Sequence, residues 1–311
     1  MAPRLLVEVR FGRLAGRKAV VAPGGALRVG RSDPATLALP HDNEMSTVHF
    51  ELTWDGARCS LRDLGSAKGT LLNGERVDAG EVAHGSWIRA GDTMLTVHIE
   101  GKTPPPLRDI EDDDDFDEAE RARRADLRAR EAERRARADR ALALLKDEAA
   151  RGPLYAILDG ARDPRILVLL REAPDEHRSL YEGTRGEALA EVAPYLVRFQ
   201  RDSGLLDRLV TEGWEARWGI YIPSPLAFKD MRRHLRRFLM VEVEDTRQRL
   251  YFRFYDPGVL REFIPTCTVR QVAELLGDAE VALCEGADGS VLRFERPRGK
   301  RASEVTHVPH P

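Results

Sequence analysis

Apolar and polar residues alternate along positions 4–100 in short runs, LLVEVRF, ALRVG, VHFELTW, CSLRDL, GTLLN and TMLTVHI, bounded by Gly, Pro, Asn or Asp. A period of two between turn residues predicts half-buried strands. Asn73-Gly74 gives the firmest turn, because a type I′ hairpin needs positive φ at both central positions. Residues 1–100 therefore read as an all-β sandwich.

The alternation stops at 101–120, GKTPPPLRDIEDDDDFDEAE, where three prolines precede nine acids between Asp109 and Glu120. Such a block repels itself and carries too little apolar surface for a core, so it reads as acidic linker. From Glu120 the charges alternate. Glu120/Arg124, Asp126/Arg130, Glu131/Arg135 and Glu133/Arg137 sit four apart with the acid first, the favourable order on a helix. Leu127 is nearly the only large apolar residue before Leu142, so there is no heptad seam. A charged, solvated helix on the order of 40 Å long at about 1.5 Å per residue is expected to complete segment 101–150. Two roles fit it, a stiff spacer and a partner-binding helix.

Residues 151–296 mix both periods and predict a mixed α+β domain, making the chain multidomain. LYAILD, RILVLL and WGIYIPS read as buried strands, GEALAEVAPYLVRFQ and LLDRLVTEG as helices, and PLAFKDMRRHLRRFLM as a helix opened by Ser224 and Pro225. LMVEVED and RLYFRFYD then pair as strands, VRQVAELLGD forms a helix, and VALCEGADGSVLRFE closes as a hairpin over Ala287-Asp288-Gly289. Residues 297–311 read as a disordered tail.

Composition sharpens this outline. A chain of 311 residues has room for two cores, and its 32% charged content, above the usual quarter, reflects the solvated middle segment. A net charge of −3 argues against a coat for nucleic acid or an anionic membrane. Cys59, Cys267 and Cys284 lack CxxC spacing, which fits a reducing compartment and offers no metal site. No stretch approaches 18 consecutive apolar residues and the N-terminus lacks a signal-peptide run, so a cytoplasmic protein is expected. Of 49 Lys plus Arg only six are Lys, a bias that dilutes the meaning of any one Arg cluster.

Recognition of phosphate by a β scaffold calls for a guanidinium, one or two hydroxyls and backbone N–H groups on neighbouring loops. Gly30-Arg31-Ser32, Ser46-Thr47-Val48-His49 and Gly65-Ser66-Ala67-Lys68-Gly69-Thr70 supply that set. With GR, SxxH, a Ser/Gly/Thr loop and NG in this order, residues 27–99 resemble a forkhead-associated (FHA) domain, an eleven-stranded β-sandwich whose apical loops bind phosphothreonine peptides. The resemblance implies that Arg31 and Ser46 contact phosphate with Thr47 beside them. It makes His49 a structural brace and leaves Gly30, Gly69, Thr70, Asn73 and Gly74 to shape the loops and turn. Ala67-Lys68 departs from the family, which usually has a small polar residue and then an Asn that holds the peptide backbone. Lys accepts no hydrogen bond, though its ammonium adds attraction to a group of about −1.5 to −2 charge. Two readings stand: phosphothreonine binding with a looser peptide register, or a phospho-independent domain.

Residues 151–296 contain no Walker loop, GxGxxG, GxSxG or HExxH. Asp159, His234, Arg253 and Asp256 read as structural polar residues, so no enzyme, cofactor or metal is expected. In the helix from 225 to 240, Phe228, Met231, Leu235, Phe238 and Leu239 share one face, and Lys229, Arg232, Arg233, Arg236 and Arg237 another. The basic face is solvated, binds an acidic protein surface or binds nucleic acid, the last disfavoured by the net charge. The chain's own 109–120 block would compete for it.

LYAILDGA, YEG, APYLV, WGIYIPSP, HLRRFL and YFRFYDPGVL resemble the effector-adaptor, or effector-chaperone, domain of bacterial type VI secretion. The resemblance implies a non-enzymatic cytoplasmic factor of a Gram-negative bacterium that binds a toxic effector and helps load it onto a VgrG-like spike protein. The FHA resemblance adds a phosphothreonine-bearing protein as partner. The alternative is a phosphothreonine-dependent signalling scaffold with no effector-loading role.

Overall fold

The computed structural model describes residues 2–10, 14–106, 118–242, 248–297 and 305–307. Two compact units emerge, Met1–Pro104 with Val168–Pro174, and Pro105–Leu167 with Asp175–Pro311.

The first unit holds β1 (Leu5–Val9), β2 (Lys18–Val21), β3 (Gly25–Gly30), β4 (Leu37–Ala38), β5 (Phe50–Trp54) and β6 (Cys59–Asp63). It continues with β7 (Thr70–Leu72), β8 (Glu75–Val77), β9 (Ala79–Val82), β10 (Trp87–Ala90) and β11 (Thr93–Ile99). One sheet runs β2-β1-β11-β10-β7-β8 and the other β4-β3-β5-β6-β9. Val7, Val29, Phe50, Leu52, Trp54, Ile88, Leu95 and Val97 fill the core as the alternating pattern demands. Strands of two to four residues, such as β4 and β8, are too short to show that period. Antiparallel pairing of β3 with β5 and of β5 with β6, in register at Val29↔Phe50 and Phe50↔Asp63, positions the site. It brings the loop after β3, the loop before β5 and the loop after β6 to one end of the sandwich.

From α1 onward the chain runs α1 (Glu118–Arg151), β12 (Leu154–Asp159), α2 (Pro164–Arg171), whose last four residues group with the first unit, β13 (Glu176–Ser179), α3 (Gly183–Ala188) and β14 (Pro194–Arg198). Next come α4 (Leu205–Gly213), β15 (Gly219–Pro223), α5 (Phe228–Arg236), β16 (Met240–Glu242), β17 (Arg249–Tyr251), α6 (Pro257–Phe263) and α7 (Val269–Leu276). β18 (Val281–Glu285), β19 (Val291–Glu295) and β20 (Val305–His307) close the chain. An antiparallel sheet runs β13-β14-β12-β15-β18-β19-β20, and β16 pairs with β17 alone. Tyr155, Ile157, Ile220, Phe228, Met231, Leu235, Phe254, Tyr255 and Phe294 share one core.

Several expectations are corrected. RILVLL is helical, not a strand: Asp163 Oδ1 accepts from the Arg165 N–H at 2.8 Å, and Ile166, Leu169 and Leu170 are buried at helical spacing. A short apolar run carries no decisive period, so the local cap settles it. APYLV is β14, not helix, since Pro194 lacks an N–H and disfavours helical φ/ψ at Ala193. α5 begins at Phe228, and Ser224 Oγ accepts instead from the Leu226 N–H at 3.3 Å. β17 stops at Tyr251, and Asp256 caps α6 by accepting from the Gly258 N–H. Within the expected tail, residues 305–307 form β20 against β19.

α1 carries Glu120–Arg124 at 3.5 Å, Asp126–Arg130 at 2.9 Å and Glu133–Arg137 at 3.7 Å as expected, while Glu131 pairs with Arg134. Its C-terminal half is not a solvated spacer but part of the second unit. Ala138, Ala141 and Leu145 are fully buried, Arg137 bonds Glu215 at 2.6 Å, and Lys146 bonds Asp207 at 2.5 Å. A stripe of Ala lets α4 approach closely, and a search for large apolar residues misses it. Residues 107–117, most of the acidic block, and with them its expected competition for a basic face, lie outside the described residues.

Candidate phosphopeptide-binding site

The three loops at the end of the first sandwich are bound to one another by backbone and by His49. The Arg31 N–H donates to Ser46 O at 2.9 Å and the Ser32 N–H to Thr47 O at 3.4 Å, joining the first two loops. Gly30 is required here, because a Cβ would lie 2.1 Å from Thr47 O. His49 is fully buried. Its Nδ1 accepts from the Ser46 N–H at 3.2 Å, so its Nε2 carries the proton and donates to Gly69 O at 3.2 Å. One ring thus ties the second loop to the third.

Asp63, which sequence reasoning missed, anchors the third loop. It accepts from the Ser66 N–H at 2.8 Å, the Ser66 hydroxyl at 2.6 Å and the buried Thr70 hydroxyl at 2.6 Å. Burial opposes its ionisation, but these hydrogen bonds outweigh burial and keep the carboxyl below the usual carboxylate range. The only sequence signal was an Asp three residues before Ser66, a spacing at which a carboxylate can cap a backbone N–H. Asn73 and Gly74 take φ of 50° and 95°, the expected hairpin turn, and Asn73 Oδ1 accepts from the Trp87 N–H at 2.9 Å.

Ser46 Oγ accepts from the Ala67 N–H at 3.0 Å, which leaves its own proton to donate outward. Thr47 is exposed beside it. Among the described residues, neither the Arg31 guanidinium nor the Thr47 hydroxyl has a hydrogen-bonding or ionic partner. Lys68 turns to Glu44, with Nζ 3.0 Å from the carboxylate, so it spans the second and third loops at their rim. Gly69 has φ of 77°, and a Cβ there would sit 2.6 Å from the Arg76 guanidinium, which lies across the loop. Neither Glu44 nor Arg76 stood out in the sequence.

Residues 27–91 match the FHA domain family, and residues 154–274 match the family described as Domain of unknown function (DUF4123), the type VI effector-adaptor family. The chain fuses an FHA domain to a DUF4123 domain. FhaA of Mycobacterium tuberculosis, an FHA domain-containing protein, is 36% identical over 75 residues, 24% of this chain and 14% of FhaA. FhaB of the same species is 37% identical over 95 residues, 30% of this chain and 59% of FhaB. A solved structure from work on phosphothreonine-dependent FHA domain interactions is 30% identical, covering 33% of this chain and 99% of that one, with a TM-score of 0.28.

The basic face expected in the DUF4123 domain is largely engaged. Arg232 donates to Ser179 O at 2.8 Å, Tyr181 O at 3.3 Å and Glu182 at 2.6 Å, and Arg236 donates to Leu180 O at 2.9 Å and pairs with Glu182 at 2.5 Å. Arg233 bonds Asp230 on its own helix, and Arg237 lies over the Phe238 ring at 5.6 Å. Of the five, Lys229 alone has no side-chain partner among the described residues. Arg232 and Arg236 fix segment 179–182, a role invisible to local pattern because Glu182 lies 50 positions before Arg232.

Asp159 at the end of β12 and Asp256 at the start of α6 are buried and pair with Arg253, Arg162 and Arg217. Hydrogen bonds from Arg162 and Arg217 overcome burial and depress the Asp256 carboxyl. Among the described residues, no group of three or more His, Cys, Asp or Glu side chains is arranged to hold a metal, and no helix is long and apolar enough to cross a membrane.

Proposed function

We propose that this protein is an adaptor whose FHA domain docks on a phosphothreonine-bearing protein while its DUF4123 domain carries a type VI effector toward a VgrG-like spike. The observation that carries the first half is the unengaged Arg31 guanidinium on a loop that backbone hydrogen bonds join to the loop carrying the Ser46 and Thr47 hydroxyls. A guanidinium with no internal carboxylate is free for bidentate pairing with phosphate, and the two hydroxyls add donors. The second half rests on the match of residues 154–274 to the DUF4123 family. No catalytic step is assigned to either domain, and the protein acts in the cytoplasm.

The test is affinity capture from the native host with and without prior phosphatase treatment. The adaptor reading expects a toxin and a spike protein in the wild-type capture, and a phosphatase-sensitive subset absent from Arg31→Ala. Phosphatase-sensitive partners without toxin or spike would turn the reading to a signalling scaffold. Identical recovery by wild type and Arg31→Ala would remove phosphothreonine from it.

A further inference from the structure

Three arginines meet on the DUF4123 domain around two carboxylates that are themselves out of water. Asp256 Oδ1 accepts from Arg217 Nε at 2.8 Å and from the Gly258 N–H at 2.8 Å, with Arg217 Nη2 at 2.6 Å, and its Oδ2 accepts from Arg162 Nη2. Asp159 Oδ1 accepts from the Ala161 N–H at 3.2 Å, and its Oδ2 accepts from Arg253 Nη2 and lies 3.7 Å from Arg162 Nε. The two carboxylate side chains are 1% and 3% exposed, whereas those of Arg162, Arg217 and Arg253 are 30%, 41% and 39% exposed. The acids therefore sit beneath and the guanidiniums form the rim.

The donors outnumber the acceptors. A guanidinium carries five N–H bonds and two carboxylates offer about eight lone-pair sites, two of them taken here by backbone N–H groups. The Nη1 group of each arginine has no acceptor among the described residues, and Arg253 Nε is buried with none. Within the cluster three positive charges face two negative ones. The buried acids also fix the planes of the forks, so an incoming carboxylate meets donors whose rotamer entropy is already lost. The α5 face differs, since Arg232 and Arg236 direct their donors to carbonyls of their own fold.

We propose that the rim of Arg162, Arg217 and Arg253 is a docking surface for an acidic segment of a partner protein, which it binds through Asp or Glu carboxylates. This goes beyond the adaptor reading, because it concerns the chemistry of the surface and not the identity of the cargo.

The experiment is titration of the full chain with a fluorescein-labelled hexaglutamate peptide, followed by anisotropy at low and at physiological salt. Replacing Arg by Lys keeps a cation over each buried acid but removes the planar fork. Arg162→Lys with Arg217→Lys is therefore expected to weaken binding at least about fivefold, equivalent to ~1 kcal/mol, with the fold retained by circular dichroism. Lys229→Ala with Arg237→Ala, which removes two positive charges at α5 and its C-cap where the double Lys variant removes none, is expected to bind as wild type. Equal binding by the double Lys variant and wild type would overturn the proposal, as would an equal loss in the α5 variant. If the double Lys variant does not fold, NMR of the wild-type arginine Nε–H resonances decides. The peptide must shift those of Arg162, Arg217 and Arg253; shifts confined to other arginines, or none, defeat the idea.

Discussion

Arg31 and Arg232 carry the same group and have opposite uses. Arg31 is placed by its backbone, through its N–H to Ser46 O, and its guanidinium stays unengaged. Arg232 is placed by its guanidinium, through Ser179, Tyr181 and Glu182. A cation held by its main chain keeps its whole guanidinium available to a partner, whereas Arg232 spends its donors on the Ser179 and Tyr181 carbonyls and Glu182. Counting arginines on a helical wheel cannot separate the two cases.

The comparison breaks first at Arg31. Arg31→Ala is expected to lower phosphopeptide affinity by about a hundredfold, from two charge-assisted hydrogen bonds worth about 1.5 kcal/mol each, and to leave stability unchanged. Calorimetric titration with paired phospho and non-phospho peptides reads the first, and thermal melting the second. A loss of stability that accompanies the lost binding would make Arg31 a fastener like Arg232.

Arg232→Ala should do the reverse. It leaves the Ser179 and Tyr181 carbonyls and Glu182 short of a donor and is expected to cost about 1–3 kcal/mol of stability in urea unfolding. Phosphopeptide affinity should not move. A fully stable Arg232→Ala would return the α5 face to the list of partner surfaces.

What the sequence revealed follows the same division. The FHA loops were legible because their logic is local: Gly30 must be small, Asn73-Gly74 must turn left-handed, and His49 sits three residues from the Ser46 whose N–H it accepts. The β strands announced themselves wherever they were long enough to alternate. RILVLL and APYLV were misread because an apolar run of five or six residues fits either element, and only Asp163 and Pro194 decide. The seating of α1 depended on Ala138 and Ala141, residues whose burial no period of large side chains announces. Arg232 and Glu182, or Lys68 and Glu44, meet only after the chain has folded.

A third variant probes the loop after β6. Asp63 has a folded pKa below its unfolded value, so its charged form contributes stability above the unfolded value of about 3.9 and loses it as pH falls below that. Asp63→Asn is expected to be about 1 kcal/mol less stable than wild type at neutral pH, from weakened bonds to Ser66 and Thr70. That gap should close as pH falls beneath the carboxylate range. A gap constant across this window would mean that the charge of Asp63 does nothing for the loop.

The smallest effect should come from Glu44, and its sign is the informative part. Lys68 and Glu44 are 64% and 48% exposed, so their pairing contributes little to stability. Glu44 nevertheless lies two residues before Ser46, where it neutralises Lys68 and repels an arriving phosphate. Glu44→Gln should therefore raise phosphopeptide affinity by about twofold to threefold at low salt, with the gain shrinking as salt is added. Lys68→Asn should alter discrimination among residues next to the phosphothreonine more than the requirement for phosphate, since the amide restores a two-way backbone contact while Arg31 is untouched. If Glu44→Gln instead lowers affinity, the ion pair serves to hold the two loops at the spacing the peptide needs, and Lys68 belongs with Arg232 among the fasteners.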